Sequence, residues 1–167
     1  MLIHDGIISP QELAPILPSE ERLKKGPVAI IECIQDIPCD PCVSACPRKA
    51  ISMREGITDK PVLDPAVCNG CSLCVASCPG LAIFIVNLAH APRAATVTLP
   101  YEMLPVPKEG EVVTALDRAG KPICEAKVLK VMKNRKYDRT LAITIEVPKD
   151  QAMNARAIRV AAKGGRP

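Results

Sequence analysis

Cysteine is the residue type with the most chemistry to offer in this chain. Nine of its 167 residues are cysteines, and eight of these fall into two clusters. Thiolates in such runs are good ligands for soft transition metals. Disulfides are disfavoured in a reducing compartment, and only Cys124 lies outside the clusters. The segregation therefore predicts two metal sites.

The two clusters share a spacing but differ in their first loop. In the second cluster, two, two and three residues separate successive cysteines, and Pro79 follows the last one. In the first, Pro47 follows in the same way, but the five residues of Ile34–Pro38 stand where the second cluster has two. The first cluster contains Cys33, Cys39, Cys42 and Cys46, and the second contains Cys68, Cys71, Cys74 and Cys78.

This spacing separates two kinds of metal site. Structural zinc is normally held by ligands collected as two pairs, which does not require a run of four cysteines followed by proline. The run Cys-x2-Cys-x2-Cys-x3-Cys-Pro is typical of [4Fe–4S] sites, in which the fourth cysteine ligates the other cube of a pair. Two such runs in tandem favour iron–sulfur clusters, with zinc or disulfides as the alternatives.

The residues from about Val28 to about Asn87, roughly a third of the chain, resemble a two-cluster bacterial ferredoxin. The resemblance implies two [4Fe–4S] clusters as cofactors and eight cysteine ligands. It implies that one cluster is held by Cys33, Cys39, Cys42 and Cys78. It implies that the other is held by Cys68, Cys71, Cys74 and Cys46.

The exchange of fourth ligands has a local structural requirement. Cys42 and Cys46 are four residues apart, as are the corresponding cysteines of the second run, so a short helix would place each pair on one face. Pro47 and Pro79 would then turn the chain away, since proline cannot continue helical hydrogen bonding. This arrangement would hold the two cubes close enough for an electron to pass between them.

The stretched first loop allows several interpretations. Its three extra residues could bulge outward at little cost while the thiolates stay in place. Alternatively, the loop shields the first cube or contacts a partner and so changes the potential of that cube. A third interpretation excludes Cys33 as a ligand and leaves a three-iron site. We favour eight ligands, because Cys33 follows an apolar run much as Cys68 does.

Elements on both sides must position these loops. The segments VAIIEC and LAIFIV, rich in β-branched residues, predict an outer pair of strands, and KAISM and PVLD predict a short inner pair. Ser9, with proline after it and Glu12 three residues on, predicts a capped helix. Ser19 predicts a second helix, which ends at Gly26.

From about Ala91 the chain changes character. Four segments with strand patterns predict a small β-barrel or curled sheet, with a hairpin turn at Asp117–Gly120. Lys133–Asp138 is expected to be a basic hairpin end, residues 148–159 a closing helix and residues 163–167 a disordered tail. Cys124 is expected to be a buried, unreactive thiol. The predicted fold class is therefore α+β. Its parts are a helical extension (1–27), a two-cluster ferredoxin domain (28–90), a barrel-like docking domain (91–162) and the tail.

Composition excludes several function classes. The net charge of +4 is uneven, because residues 121–167 carry 12 basic and 4 acidic residues. No apolar run approaches the roughly 18 residues that span a bilayer, and the start, MLIHDG, lacks the pattern of a secretory signal. A cytoplasmic location is therefore expected. There is no phosphate-binding loop, nucleophile–base pair or nucleotide fingerprint, and neither His4 nor His90 has metal-ligand spacing, so no catalytic residues are predicted.

Two clusters without a substrate site predict an electron conductor. The layout is similar to that of the ferredoxin-like small subunits of flavin-dependent amine or amino-acid dehydrogenases of anaerobes. That resemblance implies flavoprotein partners in a hetero-oligomer. The apolar pattern and the scarcity of aromatic residues separately lead us to expect no membrane span and no nucleic acid. One alternative is a freely diffusing ferredoxin with an accessory barrel. Another is a nucleic-acid-binding protein that uses the basic portion, although two tyrosines, one phenylalanine and no tryptophan leave little for base stacking.

Overall fold

A seven-stranded antiparallel sheet is the main layer of the protein, and four short helices and a two-stranded sheet accompany it within the part of the chain that the structure describes. The computed structural model describes residues 6–34, 36–133 and 139–161. The helices are α1 (Pro10–Leu13), α2 (Glu20–Lys24), α3 (Pro41–Ala45) and α4 (Leu73–Ser77). The strands are β1 (Val28–Ile31), β2 (Ile51–Ser52), β3 (Val62–Leu63), β4 (Ile83–Asn87), β5 (Ala94–Tyr101), β6 (Val112–Leu116), β7 (Pro122–Met132), β8 (Leu141–Pro148) and β9 (Ala157–Arg159).

The large sheet has the strand order β1-β4-β5-β8-β7-β6-β9. Its first two strands are the predicted outer pair around the cysteine loops, with Val28 opposite Val86 and Ile31 opposite Ile83. The predicted inner pair forms the small sheet β2–β3. The large antiparallel sheet and few helices agree with a mixed α and β fold.

The C-terminal strands continue the sheet of β1 and β4, because β4 pairs directly with β5. They do not form a separate sheet, as a detached barrel would. The sheet curls, since β5 contacts β9 although three strands lie between them in the strand order. The predicted boundary near residue 90 thus falls in the turn between two paired strands, where the amide of Ala91 donates to the carbonyl of Ala94.

Strands β1 and β4 are buried on both faces. Val28, Ile30 and Phe84 pack with side chains of the C-terminal strands, such as Val128, in one core cluster. On the opposite face, Ala29, Ile31, Ile83 and Ile85 pack with Cys42 and Cys74 in a second cluster. These two strands therefore have the cysteine helices on one face and side chains of the C-terminal strands on the other, which explains their nearly continuous apolar sequences.

The predicted closing helix is wrong. Lys149–Gln151 forms a single 3₁₀ turn, and Ala157–Arg159 is strand β9, which pairs with β6. Tertiary contacts override the helical pattern there, because Ile158 lies opposite Ala115 and is buried in the main core. The described residues after Ala91 accordingly form five strands rather than the four predicted.

The predicted helix caps and the hairpin turn at Asp117 are confirmed. Ser9 forms a capping box with Glu12, and Ser19 accepts a hydrogen bond from the amide of Arg22. At the hairpin, Asp117 Oδ1 accepts from the amides of Ala119 and Lys121. The predicted basic loop lies outside the described residues apart from Lys133, and the predicted tail lies wholly outside them. No helix among the described residues is long and apolar enough to cross a membrane.

Candidate metal centre

The eight clustered cysteines line two separate cavities. One cavity, with about 350 Å³ of atom-free space including its open side, is closed by Pro61, Pro79 and Ile83. The other, with about 310 Å³, is closed by Ile51, Leu63 and Ile85. The first is lined by Cys33, Cys39, Cys42 and Cys78, and the second by Cys46, Cys68, Cys71 and Cys74. Each cavity thus takes three cysteines from one run and one from the other.

Two short helices produce this exchange. Cys42 lies in α3 and Cys46 directly follows its last residue, while Cys74 and Cys78 have the same relation to α4. The two helices contact each other, so the cysteine at the end of each helix reaches the cavity of the other run. Pro41, at the first position of α3, removes an amide hydrogen that the helix would leave unpaired in any case.

Each cavity holds its thiols in a setting that resists their ionisation. Burial raises the pKa of Cys42 to about 11, and nearby Cys78, Cys39 and Cys33 contribute to this rise by charge repulsion. Burial likewise raises the pKa of Cys74 to about 12, with repulsion from the second cavity's other three cysteines contributing to it. Four closely grouped thiolates therefore require a positively charged centre, which a bound metal cluster supplies.

In each run, the last cysteine, which lines the cavity of the other run, accepts a hydrogen bond at its sulfur from a backbone amide. The amide of Ala50 donates to Cys46 Sγ at 3.3 Å, and that of Ala82 donates to Cys78 Sγ at 3.4 Å. The preceding residues, Lys49 and Leu81, have positive φ angles of 53° and 51°. Sequence reasoning missed these positions, although both follow a Cys-Pro pair by the same number of residues. Such amides stabilise charge on sulfur.

The donor set fits [4Fe–4S] cubes better than single ions. No three histidine, cysteine, aspartate or glutamate side chains in residues 6–34, 36–133 and 139–161 are arranged around one metal ion. A mononuclear zinc site needs its ligands within about 2.3 Å of one centre, whereas cysteines around a cube bind different irons and stand further apart. Four thiols line each cavity, which is the number of cysteine ligands that a cube takes.

The stretched loop lies over the first cavity. Ile37 lines that cavity and is 47% exposed at its outer edge. The amide of Cys39 donates to the carbonyl of Ile57, which fixes the end of the loop. Gln35, in the middle of the loop, lies outside the described residues. The loop thus places an apolar side chain beside Cys33 and Cys39.

The regular loop of the second run depends on a glycine. Gly70 has φ +68°, and a Cβ atom on it would lie 2.5 Å from Cβ of Pro27. Only glycine combines this left-handed backbone with so close a neighbour. Pro27 directly precedes β1, so the first strand and the second cysteine loop are packed against each other at this point.

Arg22 ties the N-terminal extension to the same loop. Its guanidinium donates to the carbonyls of Cys68 at 2.7 Å and Pro65 at 2.6 Å, and also to those of Gly26 and Pro27. Helix α2 is thereby attached next to the leading cysteine of the second run.

Arg22→Met should loosen this attachment. Because it removes charged hydrogen-bond donors from four carbonyls, we expect a loss of about 2 kcal/mol and a lower temperature for release of the second cluster, measured by visible absorbance during heating under argon. Lys24→Met is the control, since Lys24 lies on the same helix but only pairs with exposed Glu20. Equal melting of the two variants would contradict this role.

A buried ionic group lies at the leading cysteine of the first run. Glu32, which precedes Cys33, accepts from Arg118 Nη2 at 2.6 Å and Nε at 2.8 Å and from Arg156 Nε at 2.7 Å. Burial raises the pKa of Glu32, but the hydrogen bonds and charges of the two arginines outweigh it and the pKa lies below its usual value. Burial lowers the pKa of Arg156 to about 10, so it stays charged at neutral pH. Its guanidinium also lies 4.8 Å from the ring centroid of Phe84.

Neither Cys124 nor His90 lines either cavity. Cys124 is half-buried on β7 rather than fully buried, and burial raises the pKa of its thiol. His90 Nε2 lies 2.7 Å from Glu146 Oε2 at the surface of the sheet. His4 lies outside the described residues.

Comparisons with known proteins found matches to the region that contains the clustered cysteines. Residues 32–82 match the family described as the 4Fe-4S dicluster domain. A 74-residue stretch is 39% identical to an uncharacterized ferredoxin of Methanocaldococcus jannaschii, and the alignment covers 42% of this chain and 45% of that protein. No solved structure matches. Residues 32–82 are therefore a ferredoxin-type iron–sulfur domain, and its cofactors are two [4Fe–4S] clusters.

Proposed function

We propose that the chain is an electron-transfer subunit of a larger oxidoreductase and carries electrons between redox centres, flavins among them, of that complex. In this proposal the ligands of the first cluster are Cys33, Cys39, Cys42 and Cys78, and those of the second are Cys46, Cys68, Cys71 and Cys74. The observation that carries it is the division of eight cysteines between two cavities on contacting helices. When bound, each cluster supplies a one-electron redox centre.

In this proposal the protein's own residues position the two clusters and keep water away from them. The helices α3 and α4 keep the two sites adjacent, which favours electron passage between them. Apolar side chains such as Ile51 and Ile83, both nearly fully buried, keep water from the inner walls of the cavities. Exposed Cys71 and the apolar edge at Ile37 supply outer faces at which electrons can enter and leave.

The parts outside the ferredoxin-type domain support a docking role. Between β5 and β6, Met103 and Leu104 are 67% and 87% exposed. Their loop is held in place, because the hydroxyl of Tyr101 donates to the carbonyl of Pro105 at 2.9 Å. Exposed apolar side chains on a fixed loop are suited to a pocket of a partner protein, where such anchors contribute much of the binding energy.

Purification from the native cells without oxygen tests the proposal. We expect about eight irons per chain, from two four-iron cubes, in a complex much larger than the 17.9 kDa chain that also contains flavin. The measurements are iron, sulfide and flavin per chain together with molecular mass. A single chain with about eight irons would instead indicate a freely diffusing ferredoxin, and zinc in place of iron would overturn the ligand assignment.

A further inference from the structure

We propose that Glu32, Arg118 and Arg156 set the reduction potential of the cluster held by Cys33, and do so as a buried group with one net positive charge. The proposal rests on the ligand assignment given above. Glu32 is the residue before Cys33, whereas Arg118 lies in the hairpin turn between β6 and β7 and Arg156 directly precedes β9. The potential of a centre in one part of the chain would thus depend on charges supplied by another.

The three side chains line a cleft beside the first cavity, although none of them lines that cavity itself. The same cleft is also lined by Cys33, Cys39 and Cys78. The cleft shares these three cysteines with the first cavity and shares no cysteine with the second, whose lining includes Arg48 as its cation. A charge effect from the group should therefore act mainly on one of the two clusters.

Because the three side chains are largely buried, their charges act over a longer distance than surface charges do. The side chains of Glu32 and Arg156 are only 7% and 4% exposed, and that of Arg118 is 16% exposed. Charges so far from water are weakly screened, so their field extends further than that of surface ions. Glu32 cancels one of the two cations, and one positive charge remains.

The sign of the effect follows from electrostatics. Reduction adds a negative charge to the cluster, so a nearby cation favours the reduced form and a nearby anion disfavours it. Removing the charge of Arg118 should lower the potential of the first cluster. Removing the charge of Glu32 should raise it. A variant that merely loosened the packing would have no reason to reverse direction between the two substitutions.

The test is a redox titration of the full-length, cluster-loaded protein followed by electron paramagnetic resonance. The variants are Arg118→Met, which keeps an unbranched chain of similar reach, Arg118→Lys, which keeps the charge, and Glu32→Gln. For Arg118→Met we expect one of the two potentials to fall by about 59 mV, a tenfold change in the one-electron equilibrium constant, while the other potential stays in place. Arg118→Lys should keep this potential close to its wild-type value, and Glu32→Gln should raise it.

Two different failures can be told apart. If the wild type holds about eight irons and neither Arg118→Met nor Glu32→Gln moves a potential, or both move it in the same direction, this proposal is overturned and the proposed function stands. If the wild type holds zinc or no cluster, the proposed function fails and this proposal fails with it. Should Glu32→Gln not fold, the comparison of Arg118→Met with Arg118→Lys decides alone, since equal potentials in the two would overturn the role of charge.

Discussion

Cys78→Ala should remove the cluster of the first cysteine run, although Cys78 belongs to the second run in the sequence. In the structure Cys78 lines the cavity of Cys33, and Cys46 lines that of Cys68. We therefore expect Cys78→Ala to lose about half of about eight irons per chain and to leave the spectrum of the remaining cluster. That spectrum should match the one left by Cys33→Ala.

The opposite exchange supplies the matched comparison. Cys46→Ala should leave the same spectrum as Cys68→Ala, and this spectrum should differ from that of the first pair. Iron, sulfide, visible absorbance and electron paramagnetic resonance of each reduced variant are the measurements. Cys124→Ala should keep all the iron, because Cys124 lines neither cavity. If Cys78→Ala instead matched Cys68→Ala, each run would hold its own cluster and the assignment would be wrong.

Gly70→Ala should be among the most destabilising single-methyl changes in this protein. The new Cβ would lie 2.5 Å from Pro27 Cβ, and the residue would also have to keep φ at +68°. A left-handed alanine costs about 1–2 kcal/mol, and overpacking of this kind costs about 1–3 kcal/mol more. We expect the second cluster to be released at a markedly lower temperature, as followed by visible absorbance.

Gly120→Ala separates the two causes. Gly120 has a similar φ of +75°, but nothing lies within 4 Å of the position of a Cβ atom. Its substitution should therefore cost only the backbone term, about 1–2 kcal/mol. If the two variants melted alike, contact with Pro27 would contribute nothing, and the packing of the second cysteine loop on β1 would be looser than its geometry indicates.

Local patterns predict the elements around the cavities well. Ser9 and Ser19 cap the helices at the positions that the sequence predicts. The hairpin at Asp117 forms through hydrogen bonds within the turn itself. These features depend on contacts between residues at most four positions apart, which a sequence displays directly. The positions of α3 and α4 follow similarly from the Cys-Pro spacing.

Features that depend on distant partners could not be predicted in this way. Glu32 meets Arg118 and Arg156 across 86 and 124 residues, and no local pattern joins them. The sequence of residues 148–159 suggests a closing helix, whereas the conformation of Ala157–Arg159 at its end is determined by pairing with β6. The continuation of one sheet through β4 and β5 is likewise a matter of tertiary pairing, so the change in sequence character near Ala91 suggests a separate barrel.

Because β1 and β4 are buried on both faces, the ferredoxin-type region depends on the C-terminal strands for its stability. A fragment ending at Asn87 would expose Val28, Ile30, Phe84 and Val86, which are now covered by the C-terminal strands. Exposing one such side chain costs about 1.5–3 kcal/mol, and four of them together approach the whole stability of an ordinary domain, about 5–15 kcal/mol. The ferredoxin-type region is therefore not a unit that is stable on its own. Transplanting it into another protein would require a replacement for the sheet that covers its back.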